Sequence, residues 1–77
     1  MITLGIDIGS TTAKLVAYDG DKIIYSRYER HMARVRAKTA EMLSEMREEL
    51  GDVTVSAAIS GSAGLGVAEA ADIPFVQ

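Results

Sequence analysis

Apolar and polar residues alternate from the first position. Ile2, Leu4, Ile6 and Ile8 fall on one side of an extended chain and Thr3, Gly5 and Asp7 on the other, so the period of two predicts a strand over Ile2 to Ile8 with Asp7 at its end. A short polar turn separates it from a second predicted strand, Thr12 to Tyr18. Asp19-Gly20-Asp21 then has the composition of a tight hairpin turn, and a third strand follows over Lys22 to Tyr28, centred on Ile23, Ile24 and Tyr25. Three strands joined by tight turns predict an antiparallel meander.

The period then lengthens. Met32, Val35, Thr39, Leu43, Met46 and Leu50 recur every three or four residues and predict an amphipathic helix over 32–50, widened by Ala40 and Met42 and stopped by Gly51. Its charges oppose the helix dipole: Arg34, Arg36 and Lys38 come early, and Glu41, Glu45, Glu48 and Glu49 late. The charged face reads as solvated, with stability supplied by the buried stripe, and a partner-binding face is the alternative. Val53 to Ile59 is a fourth strand. A long helix between two strands requires a crossover, so this strand should run parallel to an earlier one. A short helix over 63–71 follows Ser60-Gly61-Ser62, and Phe75 and Val76 begin a fifth strand. The class is α/β, in the order β-β-β-α-β-α-β.

At 77 residues the chain makes one small domain, and 48% hydrophobic with 25% charged residues is the composition of a soluble globular protein. A net charge of −3 argues against nucleic acid and against an anionic membrane surface. With no cysteine and one histidine, the chain by itself forms no disulfide, no cysteine-ligated cluster and no multi-histidine zinc site. No apolar run is long enough to span a bilayer, and no basic leader precedes the first strand, so a cytoplasmic location is expected. The last residues, Pro74 to Gln77, resemble a strand cut short, which predicts that residues 1–77 are one subdomain of a longer multidomain protein.

The chemistry concentrates in Asp7-Ile8-Gly9-Ser10-Thr11-Thr12-Ala13-Lys14. A glycine turn with three hydroxyls can admit an anion, whose oxygens bond to hydroxyls and bare N–H groups. A carboxylate can hold a hydrated Mg²⁺, and a lysine adds a point charge. An ordinary hairpin with a polar turn fits the same residues. The second candidate, Ser60-Gly61-Ser62-Ala63-Gly64, lies where a strand enters a helix. It reads either as an anion-binding turn facing the same cleft or as a plain cap in which Ser60 or Ser62 closes the helix. His31 reads as a helix-start histidine, with nucleotide sensing or an acidic partner as alternatives. The methionines read as core fillers, and the three tyrosines as half-buried strand residues.

The run from Asp7 to Lys14 resembles the first phosphate motif of the actin-like ATPase superfamily, which includes sugar kinases, actin and heat-shock chaperones. Within it the chain is most similar to the large activators of 2-hydroxyacyl-CoA dehydratases and benzoyl-CoA reductases, the CoA-substrate-specific enzyme activases. Two further stretches carry that similarity: Tyr25 to His31, and Ile59 to Ala70 with Ile73 to Gln77. The resemblance implies a ribonuclease-H-like fold and ATP with Mg²⁺ as cofactors. It implies Asp7 orienting the metal through water, and Gly9, Ser10, Thr11, Thr12 and Lys14 on the phosphates, with Gly61 and Ser62 as further candidates. The hydrolytic base would lie outside this segment, which alone is not expected to turn over. The implied activity couples ATP hydrolysis to low-potential electron transfer into an acyl-CoA dehydratase or reductase. An iron–sulfur cluster in the longer protein would not be ligated here. The implied partners are the remaining domains and the dehydratase or reductase, with a homodimer through the fifth-strand edge as a further candidate. A sugar or pantothenate type kinase is the alternative within the superfamily, and a folded module without turnover the alternative outside catalysis.

Overall fold

The computed structural model describes residues 2–76; Met1 and Gln77 lie outside them, and with them the last residue of the expected fifth strand. The elements in chain order are β1 (Ile2–Ile8), β2 (Thr12–Asp19), β3 (Lys22–Arg30), α1 (Val35–Leu50), β4 (Val55–Ser60) and α2 (Leu65–Ala71). The sheet order is β3-β2-β1-β4. β1 and β2 pair antiparallel, as do β2 and β3, whereas β4 lies parallel to β1, as the α1 crossover demands. The expected α/β architecture is therefore present.

The two faces of the sheet have different fates. Leu4, Ile6 and Ile8 of β1, Ala13, Leu15 and Ala17 of β2, Tyr25 of β3 and Ile59 of β4 form one buried cluster with Met42 and Met46 of α1 and Val67 and Ala68 of α2. Both helices thus cover the same face. Ile8, Leu15, Met42 and Ile59 are the largest fully buried side chains. Each contributes on the order of 1.5–3 kcal/mol by leaving water. The opposite face carries Gly5, Asp7, Lys14, Val16, Tyr18, Ala58 and Ser60, and no described element packs over it. Strand alternation therefore puts Asp7 and Lys14 on the uncovered side.

Several boundaries differ from the periodicity, each for a local reason. Met32 and Ala33 take left-handed backbone conformations, with φ of 53° and 63°, so α1 starts at Val35 and Met32 lies exposed instead of heading the apolar stripe. Ala40 is exposed as well, and the buried stripe is Thr39, Met42 and Met46, flanked by Val35, Leu43 and Leu50. The Thr39 hydroxyl is satisfied by the Val35 carbonyl at 2.8 Å. On the charged face Lys38 pairs with Glu29 of β3 and with Glu41, at 3.3 and 3.6 Å.

β3 continues to Arg30, past the expected end at Tyr28. The register shifts by one residue opposite Ala17 and Tyr18, leaving Ile24 as the extra residue of a bulge and turning Ile23 out to solvent. The tyrosines divide: Tyr25 is buried, while Tyr18 and Tyr28 are exposed. β4 begins at Val55, two residues late, and Val53 is exposed. The fifth strand reduces to a single parallel bridge between Phe75 and Ile59, with backbone bonds from Ile59 N–H to the Pro74 carbonyl (2.9 Å) and from Val76 N–H to the Ile59 carbonyl (2.8 Å). No helix among the described residues is long and apolar enough to cross a membrane.

Candidate functional site

Register alone assembles the first part of the site. Asp7 lies opposite Lys14 on one side and Ser60 on the other, and Lys14 lies opposite Tyr28. Ser60, Asp7, Lys14 and Tyr28 thus form one row across the open face, near the strand ends where the loops begin. The Ser60 hydroxyl donates to Asp7 Oδ1 at 3.0 Å. No described hydrogen bond uses Asp7 Oδ2. Lys14 has no ion-pair partner within 4.0 Å among the described residues, Asp7 included. A carboxylate and a cation on adjacent strands, both exposed and not paired to each other, leave room for a charged group between them. A cleft of about 360 Å³ runs along this face, lined by Gly5, Asp7, Lys14, Val16, Tyr18, Ala58, Ser60 and Val76.

The turn after β1 forms the second part. Gly9 N–H donates to the Thr12 carbonyl at 2.8 Å, leaving Ser10 and Thr11 at the tip, both exposed, while Thr12 is half-buried at the start of β2. The Ser10 and Thr11 N–H groups make no backbone bond among the described residues. Two unpaired N–H groups beside two free hydroxyls suit an oxyanion. Ser10 and Thr11 line a separate, smaller hollow of about 270 Å³ with Arg30, His31, Met32 and Ala33, which shares no lining residue with the Asp7–Lys14 cleft. The tip and the Asp7–Lys14 row are consecutive along the chain but present themselves to two basins.

The second glycine loop is packed against the first strand's end. Gly61 has φ of 99°, and a side chain there would collide with the Ile8 carbonyl and come within 2.6 Å of Asp7 Oδ1. Ala63 N–H donates to the Ile8 carbonyl (2.9 Å) and Gly64 N–H to the Gly61 carbonyl (3.1 Å), so two of this loop's donors are already occupied. Neither Ser60 nor Ser62 caps α2: the helix starts at Leu65, so Gly64 is the cap and makes no side-chain bond, while the Ser60 hydroxyl is turned to Asp7. Ser62 is exposed beside this loop. The fold thus brings Gly61 to Asp7.

His31 is a residue the periodicity misassigned. It lies before α1, not at its first turn, and is only 3% exposed. Its Nε2 is 2.9 Å from the Gly9 carbonyl, its Nδ1 accepts from Ala33 N–H at 3.1 Å, and its own N–H donates to the Thr11 carbonyl at 3.1 Å. The hint in the sequence was its place between a strand end and a helix, inside the Tyr25–His31 stretch of the resemblance.

Asp7 has a free oxygen beside the cleft, and among the described residues Lys14 and the turn N–H groups are unengaged, so a phosphate group with a hydrated cation fits the residues present. Among the described residues no group of three or more His, Asp or Glu side chains stands together to hold a bare metal. A divalent cation would therefore meet this chain through Asp7, with the other ligands coming from water and phosphate.

No protein-family model matches the chain, and no curated protein sequence matches it. Solved structures do. A Ppx/GppA family member from Aquifex aeolicus superposes on 99% of this chain with a TM-score of 0.56 at 18% identity. The chain spans 35% of that protein's length. The type II variant of the Aquifex aeolicus Ppx/GppA phosphatase aligns more loosely, with 78% of this chain and 26% of its own, at 23% identity and a TM-score of 0.47. The first likeness is one of fold, and the fold is the ribonuclease-H-like one of the actin-like ATPases.

Proposed function

We propose that this chain is the phosphate-binding wall of a nucleotide cleft, taking ATP with Mg²⁺. The observation that carries the reading is Asp7 held between Ser60 and an unpaired Lys14 at the strand ends, directly before a turn with free N–H groups. In this reading the phosphates bridge the two hollows: Lys14 holds oxygens in the cleft, the Gly9–Thr12 turn holds oxygens at the tip, and Asp7 holds the hydrated cation, which would supply neutralisation of phosphate charge when bound. Gly61 lets the second loop close on Asp7 and keep it in place, with Ser62 beside it. Fixed charges and donors of this sort supply most of what phosphoryl transfer asks of a protein.

The finer assignment rests on the resemblance. The chain would be the N-terminal ATPase subdomain of a longer protein, an activator that couples ATP hydrolysis to electron delivery into an acyl-CoA dehydratase or reductase. Its likeness to only about a third of a larger protein supports the subdomain reading. The adenine pocket and the hydrolytic base would then come from the other wall.

Titration of the ¹⁵N-labelled chain with Mg-ATP tests the first part. The expected result is movement of the Asp7–Lys14 amides with a dissociation constant no tighter than about micromolar, because one wall buries little of the base. Absence of any shift at millimolar Mg-ATP removes the phosphate reading. Steady turnover by the chain alone removes the subdomain reading.

A further inference from the structure

A two-residue hairpin tip can close through a reciprocal pair of backbone bonds between the residues that flank it. Here one half is made, from Gly9 N–H to the Thr12 carbonyl. The other half is missing, and the Gly9 carbonyl instead faces His31 Nε2 at 2.9 Å. A carbonyl only accepts and a backbone N–H only donates. With Ala33 N–H directed at Nδ1, the hydrogen-bond pattern assigns the ring proton to Nε2, which donates to Gly9. The His31 backbone N–H, on the Thr11 carbonyl, grips the same tip a second time. The imidazole is held in turn by Ala33, where two successive non-glycine residues take left-handed conformations. Such strain persists where surrounding bonds enforce it.

We infer that His31 is the positioning residue of the anion-binding turn: by taking the Gly9 carbonyl it keeps the hairpin tip open, with the Ser10 and Thr11 N–H groups turned to solvent and free for phosphate oxygens. The inference rests on the phosphate reading above for its ligand, but not for the geometry of the turn. A ring that merely filled core volume would be replaceable by any side chain of similar size. A ring that donates through Nε2 is replaceable only by a donor at the same reach. Glutamine sets its amide nitrogen near the place of Nε2, whereas asparagine reaches only as far as Nδ1.

The test compares His31→Gln, His31→Asn and His31→Ala in the full ¹⁵N-labelled chain. The readouts are the Ser10 and Thr11 amide resonances without ligand, and the dissociation constant for Mg-ATP from those amides. His31→Gln is expected to keep both close to the parent. His31→Asn and His31→Ala are expected to move the ligand-free resonances and to weaken Mg-ATP binding several-fold, up to about tenfold, the loss that one hydrogen bond's contribution implies. A folded His31→Asn chain that binds as the parent does overturns the inference, as does a His31→Ala chain whose Ser10 and Thr11 amides stay in place. Should the parent ignore Mg-ATP, the phosphate reading fails separately, and the ligand-free resonances decide the role of His31. Should the variants not fold, the parent's imidazole ¹⁵N spectrum decides: a proton on Nδ1 in place of Nε2 overturns the assignment.

Discussion

The hydroxyl of Ser60 donates to Asp7 at 3.0 Å, tying the end of β4 to the end of β1 across 53 residues of sequence. The pair sits on the face that neither helix covers. Removing its two members separates charge from position. Asp7→Asn keeps the shape and the bond from Ser60 but removes the charge, and should weaken Mg-ATP binding at least about tenfold with an unchanged circular dichroism spectrum. Ser60→Ala keeps the charge and loses one hydrogen bond, and should cost about 1 kcal/mol of stability with a smaller effect on binding. Calorimetric titration and chemical denaturation of the two variants check both.

Lys14 has no described partner, so its loss should be nearly silent in stability and loud in binding. Lys14→Ala is expected within about 0.5 kcal/mol of the parent in denaturation, as for an exposed surface change, and about tenfold weaker for Mg-ATP. A variant that binds normally would leave the open row without a phosphate role.

The two glycine loops should respond oppositely to a side chain. At Gly9 a Cβ would meet only Thr12, at 3.6 Å or more, an ordinary contact. Gly9→Val should therefore fold but obstruct anion approach. At Gly61 both the positive φ and the collision with the Ile8 carbonyl forbid a Cβ. Gly61→Ala should cost well over about 1 kcal/mol and lower the melting temperature before any question of ligand arises. Melting curves beside Mg-ATP titrations distinguish the two.

Tyr25 combines a buried ring with a hydroxyl that has no partner among the described residues. Burial raises its pKa above the ordinary 10.0, opposed by the Arg27 guanidinium lying 4.7 Å over the ring and aided by Glu45 and Glu49. The folded chain thus holds this proton more tightly than the unfolded chain. The stability involved is intact below pH 10 and is lost as the pH rises through and beyond it. Lys38, raised chiefly by its bond to Glu29, acts in the same direction above 10.5. Tyr25→Phe keeps the ring under Arg27 and removes the orphaned hydroxyl. It should stabilise the chain by about 1 kcal/mol at neutral pH and flatten the alkaline loss of stability, both readable from denaturation midpoints between pH 7 and 11.

Ile59 is fully buried where β4 meets β1 and the Phe75 bridge. Ile59→Ala should cost about 2–5 kcal/mol, a large share of the stability of a domain this small. An unchanged melting temperature would contradict the two-layer core.

By itself the sequence determined the order of the six elements up to α2, the sense of each strand pair and the face on which Asp7 and Lys14 stand. Those follow from local period and from the geometry of a crossover, which act within a few residues or admit one solution. Only the tertiary structure decided where α1 begins, because Met32 and Ala33 are held left-handed by a ring bonded to a turn 22 residues earlier. It likewise decided that Ile23 faces out, because a one-residue bulge resets the alternation of β3 without a mark in composition. The engagement of Ser60 with Asp7 in place of the α2 N-terminus, and of His31 with Gly9 in place of a helix turn, came from the same source. Hydrogen-bonding side chains choose among partners by distance in space, and a strand-parallel crossover brings together groups that no spacing along the chain can reveal.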